Sequence, residues 1–399
     1  MSLDDHNVAQ ATTLMTAFAE RTGLTMAVPP TRYLWTDAFA VCTFLGLART
    51  ADEQQEDFST YRDLARRLVE QVHEILGRHR ADDPREGWLS GLGNKAGHKH
   101  PTRGGLRIGK PLPERAPGEP YNERLEWDRD GQYFHYLTKW MHALDIMARA
   151  MGEADYALWA QELAQTATEA FVYQEPGGHP RMYWKMSVDL SRPLVPSMGH
   201  HDPLDGYITL QQLRATAKGL PACENAPSLQ NELRTFAQMV QGRDWGTTDP
   251  LGLGGLMMDA TRLAQLIRRG ESDEHQLLVD LLRSAEAGLR RWLWSGSLRQ
   301  PAARRLAFRE LGLAIGLQGV RWMRVESSPG DAVFAPGSRA RVHLEALSDH
   351  LPLGEQILSF WLARGNQQGR TWTEHEDINA VMLAAALVPE GFLLLPRFA

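Results

Sequence analysis

Six segments of this chain share one construction: a patch rich in Asp, Glu or His opens directly into an apolar helical run that tolerates Gly and Ala. They read WTDAFAVCTFLGLA from Trp35, EWDRDGQYFHYLTKWMHALDIMARA from Glu126 and GHHDPLDGYITLQQLRA from Gly199. The other three are WGTTDPLGLGGLMMDATRLAQL from Trp245, PAARRLAFRELGLAIGLQGV from Pro301 and TWTEHEDINAVMLAAALV from Thr371. Amphipathic helical runs lie between them, and a helix that is apolar nearly all round is one that is buried. Six buried helices alternating with amphipathic ones are what a closed ring of helical hairpins requires, with the polar starts gathered at one mouth. The predicted fold is therefore all-α.

The periodicity predicts a first outer helix over residues 9–19, then an inner segment from Trp35 to Leu47 and an outer helix from Phe58 to Gly77. Further helices are predicted over 132–151, 154–171, 205–218, 228–241, 253–268, 275–292, from about Arg304, over 353–362 and over 378–388. Counting these gives twelve helices in six pairs. Three insertions interrupt them, at about 78–128, 177–200 and 323–350, with short strands expected near Leu106 to Ile108 and in Arg181 to Met186. Gly252, Gly254, Gly255, Gly312 and Gly316 suit inner helices whose backbones approach closely. One domain over 1–399 is expected; the alternative is two helical domains with a boundary near Gly219 to Pro227.

The net charge of −6 lacks the concentrated basic footprint of a nucleic-acid binder. Two cysteines far apart, Cys42 and Cys223, give no disulfide framework, and Cys42 reads as a small buried hydrophobe. No signal core and no run of transmembrane length is present, so a cytoplasmic protein with no membrane partner is expected. The glycines at 252, 254 and 255 lack a dinucleotide-binding context, and no phosphate-loop ending follows a strand, so no cofactor is expected.

On these six polar starts the chain resembles the (α/α)6 toroid superfamily of six-hairpin glycoside hydrolases and sugar epimerases, over most of residues 9–399. The resemblance is one of architecture, with no residue-by-residue motif. It implies that loops and helix starts around a central funnel carry the chemistry.

The densest polar cluster is Glu126-Trp127-Asp128-Arg129-Asp130, followed by His135. Asp128 or Asp130 could cap a helix, but capping does not account for Glu126, Trp127 and His135 arriving together. His135, Lys139 and His142 form a polar stripe on an apolar helix, read either as facing a ligand or as a buried hydrogen-bond network. In the second cluster His200, His201 and Asp205 offer acid/base chemistry or hydrogen bonds to sugar hydroxyls; the spacing is too weak to call a metal site. The third contains His375, Glu376 and Asn379. Trp35 with Asp37, and Trp245 with Asp249, repeat one design: a helix cap or ligand contact beside a ring that could hold the apolar face of a pyranose. Arg103, Arg107 and Lys110 sit in a basic loop that could clamp an anionic substituent.

Two chemistries follow. A glycoside hydrolase needs paired carboxylates, drawn from Glu126 or Asp130 on one wall and Asp249 or Glu376 on the other; this is the leading expectation. A sugar epimerase or isomerase would instead use His135, His201 and His375 as acids and bases. A non-catalytic carbohydrate-binding protein is the third reading. All three imply a small carbohydrate or glycan as partner.

Overall fold

The computed structural model describes residues 3–54, 57–220, 227–327 and 331–397. The chain opens with α1 (Leu3–Arg21), α2 (Leu34–Glu53), α3 (Ser59–Leu76), α4 (Asn94–Lys99) and α5 (Glu123–Asp128). Strand β1 (Gln132–Tyr133) leads into α6 (Phe134–Met151) and α7 (Ala154–Phe171). Then come β2 (Val172–Gln174), β3 (Pro180–Met182), β4 (Lys185–Met186) and β5 (Pro193–Val195). Helices α8 (Asp202–Gly219), α9 (Gln230–Val240), α10 (Pro250–Arg268) and α11 (His275–Trp294) follow. The chain ends with α12 (Ala307–Val325), α13 (Arg339–Ser348), α14 (Leu351–Leu362), α15 (Arg370–Thr373), α16 (Glu376–Leu387) and α17 (Glu390–Leu393). The class is the all-α hairpin fold expected of an (α/α)6 toroid, with short strands confined to connections.

Two compact units divide the chain. One comprises residues 1–18, 42–59 and 244–395; the other comprises 19–41, 60–243 and 396–399. The expected alternative boundary near Gly219 to Pro227 falls inside the second of these, and residues 221–226, with Cys223, lie outside the described residues. Cys42 is buried, as a small hydrophobe would be.

In the unit built around residues 60–243, α6 is the inner helix, buried on all sides through Leu137, Thr138, Trp140, Ala143 and Ile146. It pairs with α7 as a hairpin and lies beside α8, which pairs in turn with α9. Phe134 at the start of α6 stacks on Phe236 of α9, ring centroids 5.5 Å apart, and meets Phe171 of α7 edge-on. From α3, His73 accepts a hydrogen bond from Trp140 Nε1 at 3.2 Å, and burial holds this imidazole neutral, down at about 3. The short strands form an antiparallel sheet β1-β4-β5 and a hairpin β2-β3.

The other unit repeats the pattern. Helix α10 pairs with α11 and α12 with α14, while α10, α12 and α16 lie side by side as inner helices. The α10–α12 contact depends on glycine: a Cβ on Gly254 would run into the carbonyl of Gly312, and one on Gly316 would stand 2.8 Å from the Gly254 backbone. Gly255, expected at a close helix contact, faces open space. Gly252 instead donates its N–H to the Asp249 cap of α10.

The structure corrects the predicted elements in several places, the insertion at 78–128 carrying α4 and α5 among them. Residues 106–108 form no strand; Leu106 N bonds to the Gln132 side chain, Arg107 N to Leu76 O and Ile108 N to Gly131 O, so the segment is stitched to three different places. The insertion expected at 323–350 carries a helix, α13, capped by Ser338. Residues 132–133, predicted helical, pair with β4 instead, and α6 begins only at Phe134. Among the described residues no helix is long and apolar enough to cross a membrane.

Candidate functional site

Pairing of β1 with β4 sets Tyr133 opposite Lys185 and brings Trp184 beside the first turn of α6. That turn carries His135 and Tyr136, and one turn later comes Lys139. Helix α8 starts at Asp202 and presents Asp205 one turn on. Two rungs result between α6 and α8. In the first, His135 Nδ1 stands 4.0 Å from Asp202 Oδ1. In the second, Lys139 Nζ is 2.7 Å from Asp205 Oδ1, and the Thr138 hydroxyl donates to the other carboxylate oxygen.

Aromatic rings surround the first rung. Tyr136 meets the His135 ring edge-on with centroids 4.8 Å apart; Tyr133 lies at 5.3 Å, Trp35 at 6.1 Å, and Trp184 stacks at 6.2 Å. The Tyr33 and Tyr136 hydroxyls are 2.6 Å apart. Three buried polar atoms in this cluster, Trp35 Nε1, His135 Nδ1 and Asp202 Oδ2, have no hydrogen-bond partner among the described residues. Buried polar groups are normally paired, so a group that is not deserves a functional account. Glycine makes the seat for Asp202: a Cβ on Gly199 would collide with its carboxyl group.

Burial, the adjacent Asp205 charge and, in opposition, Lys139 set the Asp202 carboxyl, which is pushed up to about 7. Burial holds His135 down at about 3; Lys139 lowers it further and Asp205 opposes. Near neutral pH the imidazole is therefore uncharged, and the carboxyl is poised between its two forms. Pairs whose environments drive their proton affinities to opposite sides of their usual order are a mark of acid/base sites.

Other residues singled out from sequence fall elsewhere. Glu126 is buried, accepting from Lys185 at 2.9 Å and Arg115 at 3.0 Å. Asp130 is fully buried and takes the Arg107 guanidinium at 2.6 Å together with the Gly109 and Gly131 N–H groups. Arg107 spends its remaining donors on Arg78 O and Ile75 O, and Arg103 binds Glu162. Of the three basic residues expected to clamp an anion, Arg103, Arg107 and Lys110, the first two thus engage in internal ties. Asp37 accepts from Tyr33 N at 2.9 Å and from Arg32, holding the entry to α2. Asp128 ends α5 in solvent, and the half-exposed Trp127 packs edge-on against Trp184. His201 occupies the cap position of α8 beside an exposed His200.

In the unit containing residues 244–395, Asp249 caps α10 and pairs with Arg309, and Trp245 is buried. His375 and Glu376 are exposed, with the His375 ring near Phe308. Buried Asn379 accepts from Phe308 N at 2.9 Å and donates to Trp372 O at 3.1 Å, joining helix starts. Among the described residues, no three His, Cys, Asp or Glu side chains are grouped as a metal could use.

Of the residues singled out from sequence, the structure brings Trp35, His135 and Asp205 together, beside Asp202, Tyr33, Tyr133, Tyr136 and Trp184, which the sequence did not single out. The available signal was the three-residue step from Asp202 to Asp205, matching the four-residue step from His135 to Lys139 on the neighbouring helix.

No protein-family model matches this chain, and no curated protein matches it. Among solved structures it is similar to cellobiose 2-epimerase from Spirochaeta thermophila DSM 6192, with 11% identity and a TM-score of 0.46, covering 90% of this chain and 86% of that one. A likeness of that strength transfers no chemistry.

Proposed function

We propose that this protein is a carbohydrate-active enzyme that moves a proton at a sugar carbon, an epimerase or isomerase, with Asp202 as the acid/base and neutral His135 as its partner. The observation that carries the reading is the rung itself: a carboxyl held near 7, an imidazole held neutral, and unpartnered polar atoms on both, inside a ring of aromatic side chains.

A group titrating near the working pH is the best compromise between being in the right form and having the driving force to transfer a proton. Ionised Asp202 takes the hydrogen from the carbon next to the carbonyl of an open-chain sugar. The C–H electron pair becomes the C=C bond of an enediolate, and the former carbonyl oxygen takes the negative charge. Neutral His135 donates a hydrogen bond to that oxygen. Asp202 then returns its proton either to the other face of the same carbon once the enediolate has turned, giving the epimer, or to the former carbonyl carbon while the neighbouring hydroxyl proton passes to the charged oxygen, giving the isomer. Trp35, Tyr136 and Trp184 supply flat apolar surface for the sugar, and their placement around His135 supports this class of substrate.

The carboxylates that a glycoside hydrolase was expected to use favour it less. Glu126 and Asp130 are closed inside ion pairs, and Asp249 caps a helix while paired with Arg309. One feature does favour hydrolysis: a carboxyl still partly protonated at neutral pH could protonate a leaving glycosidic oxygen.

Incubation with a panel of reducing mono- and disaccharides in deuterated water separates the readings. We expect deuterium at the carbon next to the anomeric centre, observed by NMR, with interconversion of sugars and no new reducing ends. The Asp202→Asn variant should lose at least 100-fold in rate, the usual worth of a general acid/base being about 10²–10⁴. New reducing ends from a glycoside, without deuterium incorporation, would establish hydrolysis instead.

A further inference from the structure

Helices α6 and α8 both bury apolar side chains, and between them the second rung places a buried ion pair one turn from the first rung. Asp205 is buried with its two oxygens occupied by Lys139 Nζ, at 2.7 Å, and by the Thr138 hydroxyl. The same hydroxyl, with its one proton, also lies 2.9 Å from His135 O, so the residue that holds Asp205 sits against the backbone of His135. Spacing enforces the arrangement: Asp202 and Asp205 lie three apart on α8, and His135 and Lys139 four apart on α6, so each pair shares a helix face. Buried ion pairs cost desolvation and are often replaceable by apolar packing without loss of stability, so their retention calls for another use.

We infer that Lys139 and Asp205, an ion pair on the same two helix faces one turn beyond the His135–Asp202 pair, are positioning residues that tune that pair. The inference rests on the proposed acid/base role of that pair. The titratable groups around Asp202 come from both helices: neutral His135 and charged Lys139 on α6, and charged Asp205 on α8 itself. Negative Asp205 favours the protonated carboxyl, and Lys139 opposes it. Removing one charge leaves the other uncompensated, so the two deletions must act in opposite directions.

Two near-isosteric variants make the test. With Asp205→Asn, Lys139 is left unbalanced, and the Asp202 titration should move to lower pH. With Lys139→Gln, Asp205 is left unbalanced, and it should move to higher pH. Each shift should be about one pH unit or more, the usual effect of a charge at such range. Lys139→Arg keeps the charge and should restore the parent value. The titration is read in two ways: from the pH profile of kcat/KM, and from unfolding stability against pH for each variant with and without Asp202→Asn. The second needs no turnover, so absence of activity in the parent protein would count against the proposed function and leave this test standing. Opposite shifts in both readouts support the inference. Shifts in the same direction, or none, in folded variants overturn it, and if Asp205→Asn does not fold, the sign of the Lys139→Gln shift alone decides.

Discussion

At the scale of single residues, the chemistry of Asp202 has a consequence for folding. Its proton affinity in the folded protein is raised to about 7 from 3.8, so its contribution to stability is complete below pH 3.8 and is lost as pH rises through 7. His135 works in the opposite sense: lowered to about 3 from 6.5, it contributes fully above pH 6.5 and loses that contribution as pH falls toward 3. Between these limits the two oppose each other. Asp202→Asn removes only the first, so chemical denaturation should show the variant gaining on the parent as pH rises from about 4 to 7. The slope should approach 1.4 kcal/mol per pH unit, with a plateau above 7. A flat difference across that range would mean that Asp202 titrates normally. Legibility from sequence was uneven at this scale. His135 stood out because an imidazole on an apolar helix needs a reason. Asp202 did not, because the helix start was placed at Asp205, and an acid before Pro203 reads as a cap. Glu126 and Asp130 stood out because clustered charges look like a site, and only coordinates reveal that Arg107, Arg115 and Lys185, distant in sequence, pair with them.

At the scale of elements, the helices were largely visible because apolar periodicity survives even where helix ends do not. The boundaries of α7 coincide with the predicted 154–171, while α8 starts three residues earlier than predicted, at Asp202. Helix α13 was hidden in a Gly- and Pro-bearing insertion, since its short run lacks the length for a clear period. The glycines of α10 and α12 give a sharp test of packing. Ala at Gly254 must push against the Gly312 carbonyl, and overpacking of this kind costs about 1–3 kcal/mol. Ala at Gly255, one residue along the same helix and facing open space, should instead stabilise by about 0.5–1 kcal/mol through helix propensity. Urea unfolding of the two variants should therefore move in opposite directions. Equal destabilisation would mean that backbone freedom, rather than the close approach, is what selects glycine there.

At the scale of the whole molecule, the chain is shared between units in a way no composition shift announces. Residues 1–18 and 42–59 belong with 244–395, so a cut at residue 243 separates a unit from its own parts. Gly46 on α2 sits against Gly391, where an added Cβ would come within 3.0 Å of the Gly391 backbone, and Arg49 reaches Glu390 at 4.0 Å. A single domain over 1–399 is thus a testable proposal. Fragment 244–399 expressed alone should lack a cooperative thermal transition, and co-expression with fragment 1–243 should restore one; a cooperative melt of the isolated fragment would argue for an independent domain.

The same division sets a delay during synthesis. The second half of α2 leaves the ribosome long before the segment that covers it, and at roughly 5–20 residues per second the wait is on the order of ten seconds or more. Throughout that interval Met15 and Phe18 of α1, and Phe44, Leu45 and Leu47 of α2, all buried in the finished protein, wait for the rest of their unit.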